Sequence, residues 1–407
     1  MKVLHLLGEA PFPADTGPRN HNYGILRLSS THNQCEALGF YDGPEGLMRW
    51  KAFSREHPQI LPHPPVLERQ SQALLIQTAR ALTAFQPLVM NRFQSAEFAK
   101  RLKSLAREKK YDLAVFHCFY LAPYRNCVGD IPSILLPHDA YSLNYWRSCH
   151  LPQSLLSRLR CYYLYQAFAR LERTLYPRFE LICPVSHVDA RWLNSRLSGI
   201  RVKNLGIPIA DEFFKKKTDR RSTTAAPLCL CMGTYEIEAI AYGALNFIRH
   251  SWPQVLKAVP QARLVVWGKG ATSRIKNRTA GAPHIEYIDW VDDYCAMLSR
   301  ASLVIYPQAT GAGVQSKLQQ VMAAGIAVVA HRFSVEPLGA VNGEHCYEFS
   351  NYADAAQKVI HLLEDSHFRE RMAAGGRELM QRRFSMGVIA EELNCIYADV
   401  KERLFLG

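Results

Sequence analysis

The segment Tyr306–Ala330 places a glycine-containing loop directly before a helical pattern, a combination that suits phosphate binding. Gly311 and Gly313 lie in the loop, and the helix after it is predicted from apolar residues at helical spacing: Val314, Leu318, Val321 and Met322. A helix N-terminus presents backbone N–H groups and the positive end of a dipole to an anion. Lys317 falls in the first turns, off the apolar face, where its ammonium could reach a diphosphate. The alternative is ordinary strand–loop–helix packing, in which the glycines serve only the turn.

His138 is the second candidate, at the C-terminal end of the predicted strand Ser133–His138. Open α/β sheets bind ligands at that end of their strands. The alternative is a structural histidine with its hydrogen bonds satisfied, which is also the interpretation of His117. Asp139 is expected to orient His138 or to cap the next helix. Glu9, in the first loop, is a weaker candidate for acid–base work on an acceptor hydroxyl.

The elements that position these residues alternate along the whole chain. Short apolar runs separated by helical patterns predict two Rossmann-like α/β/α domains with parallel sheets. The predicted strands of the first half are Lys2–Leu7, Cys35–Tyr41, Leu113–Phe119, Ser133–His138 and Leu181–Val185. Those of the second half are Leu228–Met232, Arg263–Trp267, His284–Tyr287, Leu303–Tyr306, Ile326–Ala330 and Cys346–Phe349. The predicted helices include Glu97–Lys109, Ala241–Leu256 and Ala355–Leu363.

The domain boundary is expected at the polar, basic segment 215–227. The prediction is an N-terminal domain over 1–214, a linker over 215–227, a C-terminal domain over 228–385, and a helix over 386–407 that packs back toward the N-terminal domain. The length of 407 residues suits two domains of about 200 residues each.

Composition excludes several classes of protein. Hydrophobic residues make up 48% and charged residues 21%, as in globular chains. No apolar run reaches the roughly 18 residues needed to cross a bilayer, and Val3–Leu7 is too short for a signal peptide. The sequence therefore predicts a cytoplasmic protein. The eleven cysteines have no zinc-ligand spacing and are expected to be reduced thiols, with no metal site.

A net charge of +13 indicates a polyanionic neighbour. The region Tyr141–Tyr176 interleaves arginines with aromatic residues, as in segments that lie on anionic lipid headgroups. The protein is therefore expected to be peripheral at the inner membrane face. The alternative is a helix with buried tyrosines and solvated arginines. Nucleic acid is disfavoured as a partner, because no reader module accompanies the charge.

The motifs together resemble those of a known family in both type and order. They are the first loop PFPADTGPRNHNYGIL, the strand SILLPHD, the signposts Pro184–Ser186 and Asn204–Ile207, the strand end Cys231–Tyr235, the stretch Tyr287–Asp293, the segment Tyr306–Ala330 and the closing residues Glu364 to Ser385. This series, which spans the chain, resembles the retaining glycosyltransferases of GT-B fold (glycosyltransferase family 4-like, glycosyl transferases group 1). The likeness is strongest to bacterial members that build polysaccharides and exopolysaccharide.

The resemblance implies transfer of a sugar from a nucleoside diphosphate sugar, bound in a central cleft that the two sheets face, to a glycan or lipid-linked acceptor. It implies catalytic roles for His138 and Lys317, and no cofactor or metal. The residues that it assigns to donor binding are Gly17, Arg19, Gly233, Thr234, Tyr235, Val291, Gly311, Gly313, Val314, Gln315, Ser316 and Gln320.

This chain departs from the family pattern at three places. The family's pair of glutamates falls at Ala312 and Gln320, and the arginine expected after Gly233 is missing. Gln320 can bind a ribose hydroxyl only without the charge assistance of a carboxylate. The alternatives are therefore a non-catalytic GT-B subunit with a degenerate donor site, or another GT-B enzyme such as an epimerase or phosphorylase.

Overall fold

A computed structural model describes residues 1–67, 81, 83–151, 154–215 and 226–402. The chain divides into two compact units. Unit 1 comprises Met1–Pro208 and Met386–Gly407, and unit 2 comprises Ile209–Ser385. The predicted linker 215–227 lies for the most part, over 216–225, outside the described residues.

Unit 1 is built on a sheet whose seven described strands are all parallel. The strands are Lys2–Leu7 (β1), Gln34–Tyr41 (β2), Ile60–Pro62 (β3), Val66–Leu67 (β4), Leu113–His117 (β5), Ser133–Leu136 (β6) and Leu181–Ile182 (β7). Their order is β3-β2-β1-β5-β6-β7, and β4 also pairs with β2. The central strands are buried along nearly their whole length, which explains their continuous apolar runs.

Helices surround the sheet of unit 1. The α-helices are Gly17–Ser29 (α1), Gly43–Glu56 (α2), Ala96–Glu108 (α3), Tyr141–Cys149 (α4), Leu155–Leu175 (α5) and His187–Asn194 (α6), with 3₁₀ turns at Leu88–Asn91, Phe119–Cys127 and Tyr176–Arg178. The C-terminal helix of the chain, Met386–Glu402, also belongs to this unit and packs on α1. There the hydroxyl of Tyr397 donates to Ser29 Oγ at 3.2 Å.

Unit 2 has a second parallel sheet with the order β10-β9-β8-β11-β12-β13. Its strands are Leu228–Met232 (β8), Arg263–Trp267 (β9), Ile285–Ile288 (β10), Leu303–Tyr306 (β11), Ala327–His331 (β12) and Tyr347–Phe349 (β13). In both units the order reverses beside the first strand, as in doubly wound nucleotide-binding folds. The predicted fold class is confirmed.

The helices of unit 2 complete its two faces. The α-helices are Asp211–Lys215 (α7), Glu238–Asn246 (α8), Trp252–Ala258 (α9), Tyr294–Ser299 (α10), Ser316–Ala323 (α11), Arg332–Val335 (α12), Tyr352–Glu364 (α13) and Ser366–Phe384 (α14), and Met386–Glu402 of unit 1 is α15. Shorter turns are π-helical at Phe247–Ser251 and Ala271–Ile275, and 3₁₀ at Lys276–Arg278 and Glu336–Leu338. No helix in the described ranges is both long and apolar enough to cross a bilayer.

The differences from the predicted elements have local causes. The strand predicted over Leu113–Phe119 ends at His117, because Cys118 has a φ of +108° and leaves the ladder. The strand predicted to end at His138 ends at Leu136, and His138 itself has a φ of +68°. The helix predicted over Ala241–Leu256 is two α-helices joined by the π-helical turn Phe247–Ser251.

Candidate functional site

The strand order defines one ligand-binding edge in each unit. Ligands of open α/β sheets bind outside the carboxyl ends of the strands, at the point where the strand order reverses. In unit 2 that point lies between β8 and β11, so it is flanked by the loops that begin at Gly233 and Pro307. In unit 1 it lies between β1 and β5, so it is flanked by the loop that begins at Gly8 and by the turn at Cys118.

The loop after β11 is compact and ends at a helix. Residues 307–314 are buried, and Gly311 and Gly313 have φ angles of +133° and +69°, which side chains with a Cβ rarely adopt. The amide of Gln308 donates to the carbonyl of Thr310 at 2.8 Å and closes the loop on itself. A Cβ at Gly311 would lie 2.8 Å from that same amide nitrogen. The glycines therefore allow a tight loop to lead directly into α11.

The N-terminus of α11 has no side-chain cap. Gln315 occupies the N-cap position without capping hydrogen bonds, and its Oε1 accepts a bond of 3.3 Å from the hydroxyl of Tyr306 instead. The predicted apolar face of α11 is confirmed, since Val314, Leu318 and Met322 are buried. The N–H groups of the first turn therefore have no side-chain acceptor among the described residues, and the positive end of the helix is available to an anion.

Lys317 lies in this first turn and carries a charge without a counter-ion. It is half-buried and forms no ion pair with any residue that the structure describes. Burial lowers the pKa of its ammonium. Gln320, one turn further, is also half-buried, whereas Ala312 is buried in the loop and offers no polar group. The segment from Gly311 to Gln320 therefore combines free helix-end donors with an unpaired cation.

The loop after β8 contains the predicted donor residues Gly233, Thr234 and Tyr235. Tyr235 is fully buried, its hydroxyl donates to the carbonyl of Cys231 at 2.6 Å, and its N–H donates to the carbonyl of Lys269 at 2.8 Å. Both hydrogen-bond donors of Tyr235 are therefore engaged within unit 2. Gly233 is needed for packing, because a Cβ there would lie 2.6 Å from Ile240. Thr234, between them, is half-buried.

The stretch after β10 contains Val291, which is half-buried, and Asp293, whose carboxylate caps α10 by accepting from the N–H of Ala296 at 2.8 Å. Trp290 is 77% exposed in the same loop. The sequence did not single out this tryptophan, although an indole beside a predicted base-binding stretch is a signal for stacking.

In unit 1, the predicted phosphate ligand Arg19 is already held by carboxylates. Gly17 begins α1, and Arg19, two residues later, is nearly buried. Its Nε and Nη2 donate to Glu9 Oε2 at 2.8 and 2.5 Å, and its Nη1 donates to Asp15 Oδ1 at 2.7 Å. These contacts raise the pKa of the guanidinium despite its burial. Two carboxylates therefore offset the positive charge of Arg19.

His138 is buried, as a site residue or a structural residue would be, and its partner is Asn22. The ring Nε2 lies 2.9 Å from Asn22 Oδ1, and the ring of His21 packs edge-on at a centroid distance of 5.1 Å. Burial lowers the pKa of His138 to about 4, so the ring is neutral at pH 7. Asp139 was predicted to orient His138 or to cap α4. It does neither. The side-chain partner of His138 is Asn22, and α4 begins after Ala140 without a side-chain cap.

His117 is buried, as predicted, and it too contacts Asn22 Oδ1, at 3.2 Å from its Nδ1. Asn22 was not found from the sequence. The available signal was the polar run Arg19–Asn22 on the buried side of α1, where unpaired polar groups are costly. Over the described ranges, no group of three or more histidine, cysteine, aspartate or glutamate side chains could hold a metal ion.

Comparison with solved structures identifies the fold. Anabaena HepE in complex with UDP has a TM-score of 0.68 at 14% identity, over 98% of this chain and 100% of that chain. Sucrose-phosphate synthase from Thermosynechococcus elongatus has a TM-score of 0.71 at 12% identity, over 98% and 99%. A TarM mutant from S. aureus, in complex with Fondaparinux, alpha-GlcNAc-glycerol and UDP, has a TM-score of 0.67 at 8% identity, over 98% and 100%. With two parallel-sheet α/β units, the chain has the GT-B fold of glycosyltransferases.

The sequence comparison adds the family. Residues 226–365 match the family described as glycosyl transferases group 1, and this range covers most of unit 2. This part of the chain is therefore similar to the glycosyl transferases group 1 family. No curated protein matches the sequence significantly.

Proposed function

We propose that this protein transfers a sugar from a nucleoside diphosphate sugar to an acceptor hydroxyl. The observation that carries the proposal is Lys317, a half-buried ammonium with no ion-pair partner among the described residues, in the first turn of an uncapped helix. A desolvated charge is costly unless it is paired. A diphosphate would pair with Lys317 and would accept hydrogen bonds from the first turn of α11.

The proposed chemistry rests on stabilising the leaving group. As the bond from the sugar to the diphosphate breaks, negative charge develops on the phosphate oxygens, and Lys317 and the α11 N–H groups oppose it. We propose that these groups supply the positive charge without a metal ion. The resemblance adds retention of the anomeric configuration, with neutral His138 beside the transferring sugar. Arg19 contributes less than the resemblance implies, because Glu9 and Asp15 already bind its guanidinium.

We propose a role in the synthesis of bacterial polysaccharide, exopolysaccharide or a glycoconjugate. The support is the sequence resemblance to bacterial members of the family. HepE and TarM, which share the fold, were both solved with UDP. Uridine nucleotides are therefore the first donors to test, followed by those of guanosine, thymidine and adenosine.

The direct test is release of nucleoside diphosphate from a panel of nucleotide sugars, with and without glycan or lipid-linked acceptors. We expect release from at least one donor in the presence of a chelator, and a product whose anomeric configuration matches that of the donor. The control is Lys317→Ala, in which release should be about 10²- to 10³-fold slower. Equal release by Lys317→Ala would refute the role of Lys317, and an inverted product would refute retention.

A second candidate is a non-catalytic GT-B subunit that binds a nucleotide or a partner enzyme. The observation in its favour is that Ala312 and Gln320 stand where the family has glutamates, and that Ala312 is buried without any polar group. This candidate predicts nucleotide binding without transfer or hydrolysis of any donor. Measurable turnover would eliminate it.

An exposed apolar surface on unit 1 supports a membrane-bound acceptor. Leu155 and Leu156 are 72% and 79% exposed at the start of α5, and three more large side chains are exposed nearby, namely Trp146, Leu159 and Tyr162. Arg158 and Arg160 are exposed on the same turns. No aspartate or glutamate occurs from Ala140 to Leu171. We name this set of seven residues the α5 surface.

We propose that the α5 surface binds an anionic lipid bilayer, and that the acceptor is a lipid-linked glycan. Apolar side chains would enter the headgroup region while arginines contact lipid phosphates, each worth about 1 kcal/mol near the surface. Vesicles of phosphatidylglycerol should bind the protein at low salt, and those of phosphatidylcholine should not. Leu155→Ser with Leu156→Ser should lose binding, whereas Met48→Ser, at an exposed site on α2, should not. Equal binding of both vesicle types would contradict the proposal.

A further inference from the structure

A line of buried hydrogen bonds connects four side chains in the core of unit 1 to His138. Ser29 Oγ lies 3.1 Å from His5 Nε2, and His5 Nδ1 lies 2.9 Å from His117 Nε2. His117 Nδ1 and His138 Nε2 then meet at one atom, Asn22 Oδ1, at 3.2 and 2.9 Å. All five side chains are buried, on α1, β1, β5 and the segment after β6.

The contacts determine which ring nitrogens carry hydrogen. An amide oxygen can only accept, so His117 Nδ1 and His138 Nε2 must both be protonated. A neutral His117 then has a lone pair on Nε2, which accepts from His5 Nδ1–H. His5, protonated at Nδ1, then has a lone pair on Nε2, which accepts a hydrogen bond from the hydroxyl of Ser29. Every proton in the line therefore points toward Asn22 Oδ1.

Neutrality of the rings is a consequence of burial. Burial lowers the pKa of His5 to about 3 and that of His138 to about 4, and it lowers the pKa of His117 and His21 well below the usual value. The titratable groups that face His138 are His21 on α1, His117 on β5 and the adjacent Asp139. Burial raises the pKa of Asp139, and the nearby charge of Asp189 raises it further.

We propose that Asn22 is a positioning residue, which holds His138 as the neutral tautomer protonated at Nε2. The other nitrogen, Nδ1, then carries a lone pair and can only accept a hydrogen bond. It has no partner among the described residues. His138 therefore accepts a hydrogen bond from a hydroxyl of the donor sugar, and it does not act as an acid at that nitrogen. This inference rests on the proposed sugar transfer.

The tautomer can be measured without any activity assay. In the full-length protein labelled with ¹⁵N-histidine, the His138 signals are assigned by their loss in His138→Gln. We expect Nε2 to be protonated and Nδ1 to be unprotonated at neutral pH. A ring with hydrogen on Nδ1 would overturn the inference, because it would require Asn22 to donate through its amide nitrogen.

Substitution of Asn22 tests the positioning role. Asn22→Asp places a carboxylate against His138, which should raise the pKa of the ring by about one unit or more. The acid limb of kcat/KM should move to higher pH by the same amount, because protonation of His138 removes the lone pair. Asn22→Ala should lower kcat about tenfold, the worth of one net hydrogen bond, with little change in KM for the donor.

The matched control is Asn91→Asp, at another buried asparagine of unit 1. It should leave the His138 titration and the pH profile unchanged. An Asn22→Asp variant that folds and titrates like the wild-type protein would overturn the inference. If no donor is turned over but the tautomer and its Asn22→Asp shift are as expected, the positioning role stands and the proposed transfer fails.

Discussion

Replacement of Lys317 by alanine should strongly reduce turnover and leave the fold intact. Two unit charges about 4 Å apart attract by roughly 4 kcal/mol at the effective dielectric constant of a protein site. Lys317 is half-buried and has no competing carboxylate among the described residues, so little of that attraction is lost to another partner. Loss of one group that stabilises a developing anion typically lowers kcat by about 10²- to 10³-fold. We expect a loss in this range for Lys317→Ala.

The same substitution should not lower the stability of the protein. An ammonium that is half-buried and unpaired in the free protein opposes folding, because the unfolded chain hydrates it fully. Lys317→Ala should therefore unfold at the same temperature as the wild-type protein or slightly higher. Lys257→Ala, at an exposed lysine of α9 in the same unit, is the control for loss of one positive charge. It should change neither turnover nor stability.

The pH dependence of kcat/KM provides an independent check. Burial lowers the pKa of Lys317, so the free protein loses this charge at a lower pH than an exposed lysine would. Activity should fall as pH rises through that lowered pKa, and Lys317→Arg should remove the alkaline limb because arginine stays charged. Unchanged kcat in Lys317→Ala, or a loss explained by unfolding, would refute the reasoning.

Two further predictions concern buried polar groups. Tyr235→Phe should lower the free energy of unfolding by about 1 kcal/mol, because the hydrogen bond to Cys231 is lost. Its nucleotide affinity, measured by calorimetric titration, should be unchanged. Weaker binding would show that the hydroxyl of Tyr235 takes part in donor binding. Burial raises the pKa of Glu36, but hydrogen bonds led by that from Tyr111 lower it to about 2, against 4.5 for the free group. The carboxylate therefore stabilises the fold above pH 4.5, and this contribution is lost as pH falls toward 2. At neutral pH, Glu36→Gln should have a free energy of unfolding roughly 3 kcal/mol below that of the wild-type protein. In thermal melts from neutral pH to pH 2, the variant should lose less stability than the wild-type protein does. Equal losses of stability in the two proteins would contradict this.

The fold could be predicted from the sequence because it depends on periodicity. Buried parallel strands such as β1, β8, β9 and β11 begin and end where their apolar runs do. The strand ends at His117 and Leu136 could not be predicted in the same way. The end at His117 depends on the positive φ angle of Cys118, for which hydropathy carries no signal, and Leu136 is followed by Pro137, which has no N–H to donate to the ladder.

The site could be predicted in part, for a related reason. Lys317 could be proposed from the sequence because the glycine loop and the start of the helix that follows it lie within a few residues of each other. Tyr235 was predicted as a donor residue from its position after Gly233, and nothing in the sequence indicated that its hydroxyl donates to the carbonyl of Cys231 in the core. Arg19 was predicted as a donor-binding residue without regard to Glu9 and Asp15, which lie in the same loop. Only the three-dimensional structure shows which of these charges form pairs.

The contact that joins Asn22 to two histidines could not be predicted at all. His117 and His138 reach one side-chain oxygen on α1 from positions 95 and 116 residues away along the chain. Only the packing of α1 against the sheet brings the three together. Sequence patterns of short period carry no information about such a long-range contact.

Calorimetric titration of the wild-type protein and of Lys317→Ala with UDP, GDP, TDP and ADP is the most direct test of the central claim. The account predicts that one nucleotide binds selectively to the wild-type protein, and that Lys317→Ala, folded to the same extent, loses this binding. Failure of all four nucleotides to bind the wild-type protein would contradict the donor site on α11. In that case Ala312 and Gln320 mark a site that no longer binds a donor.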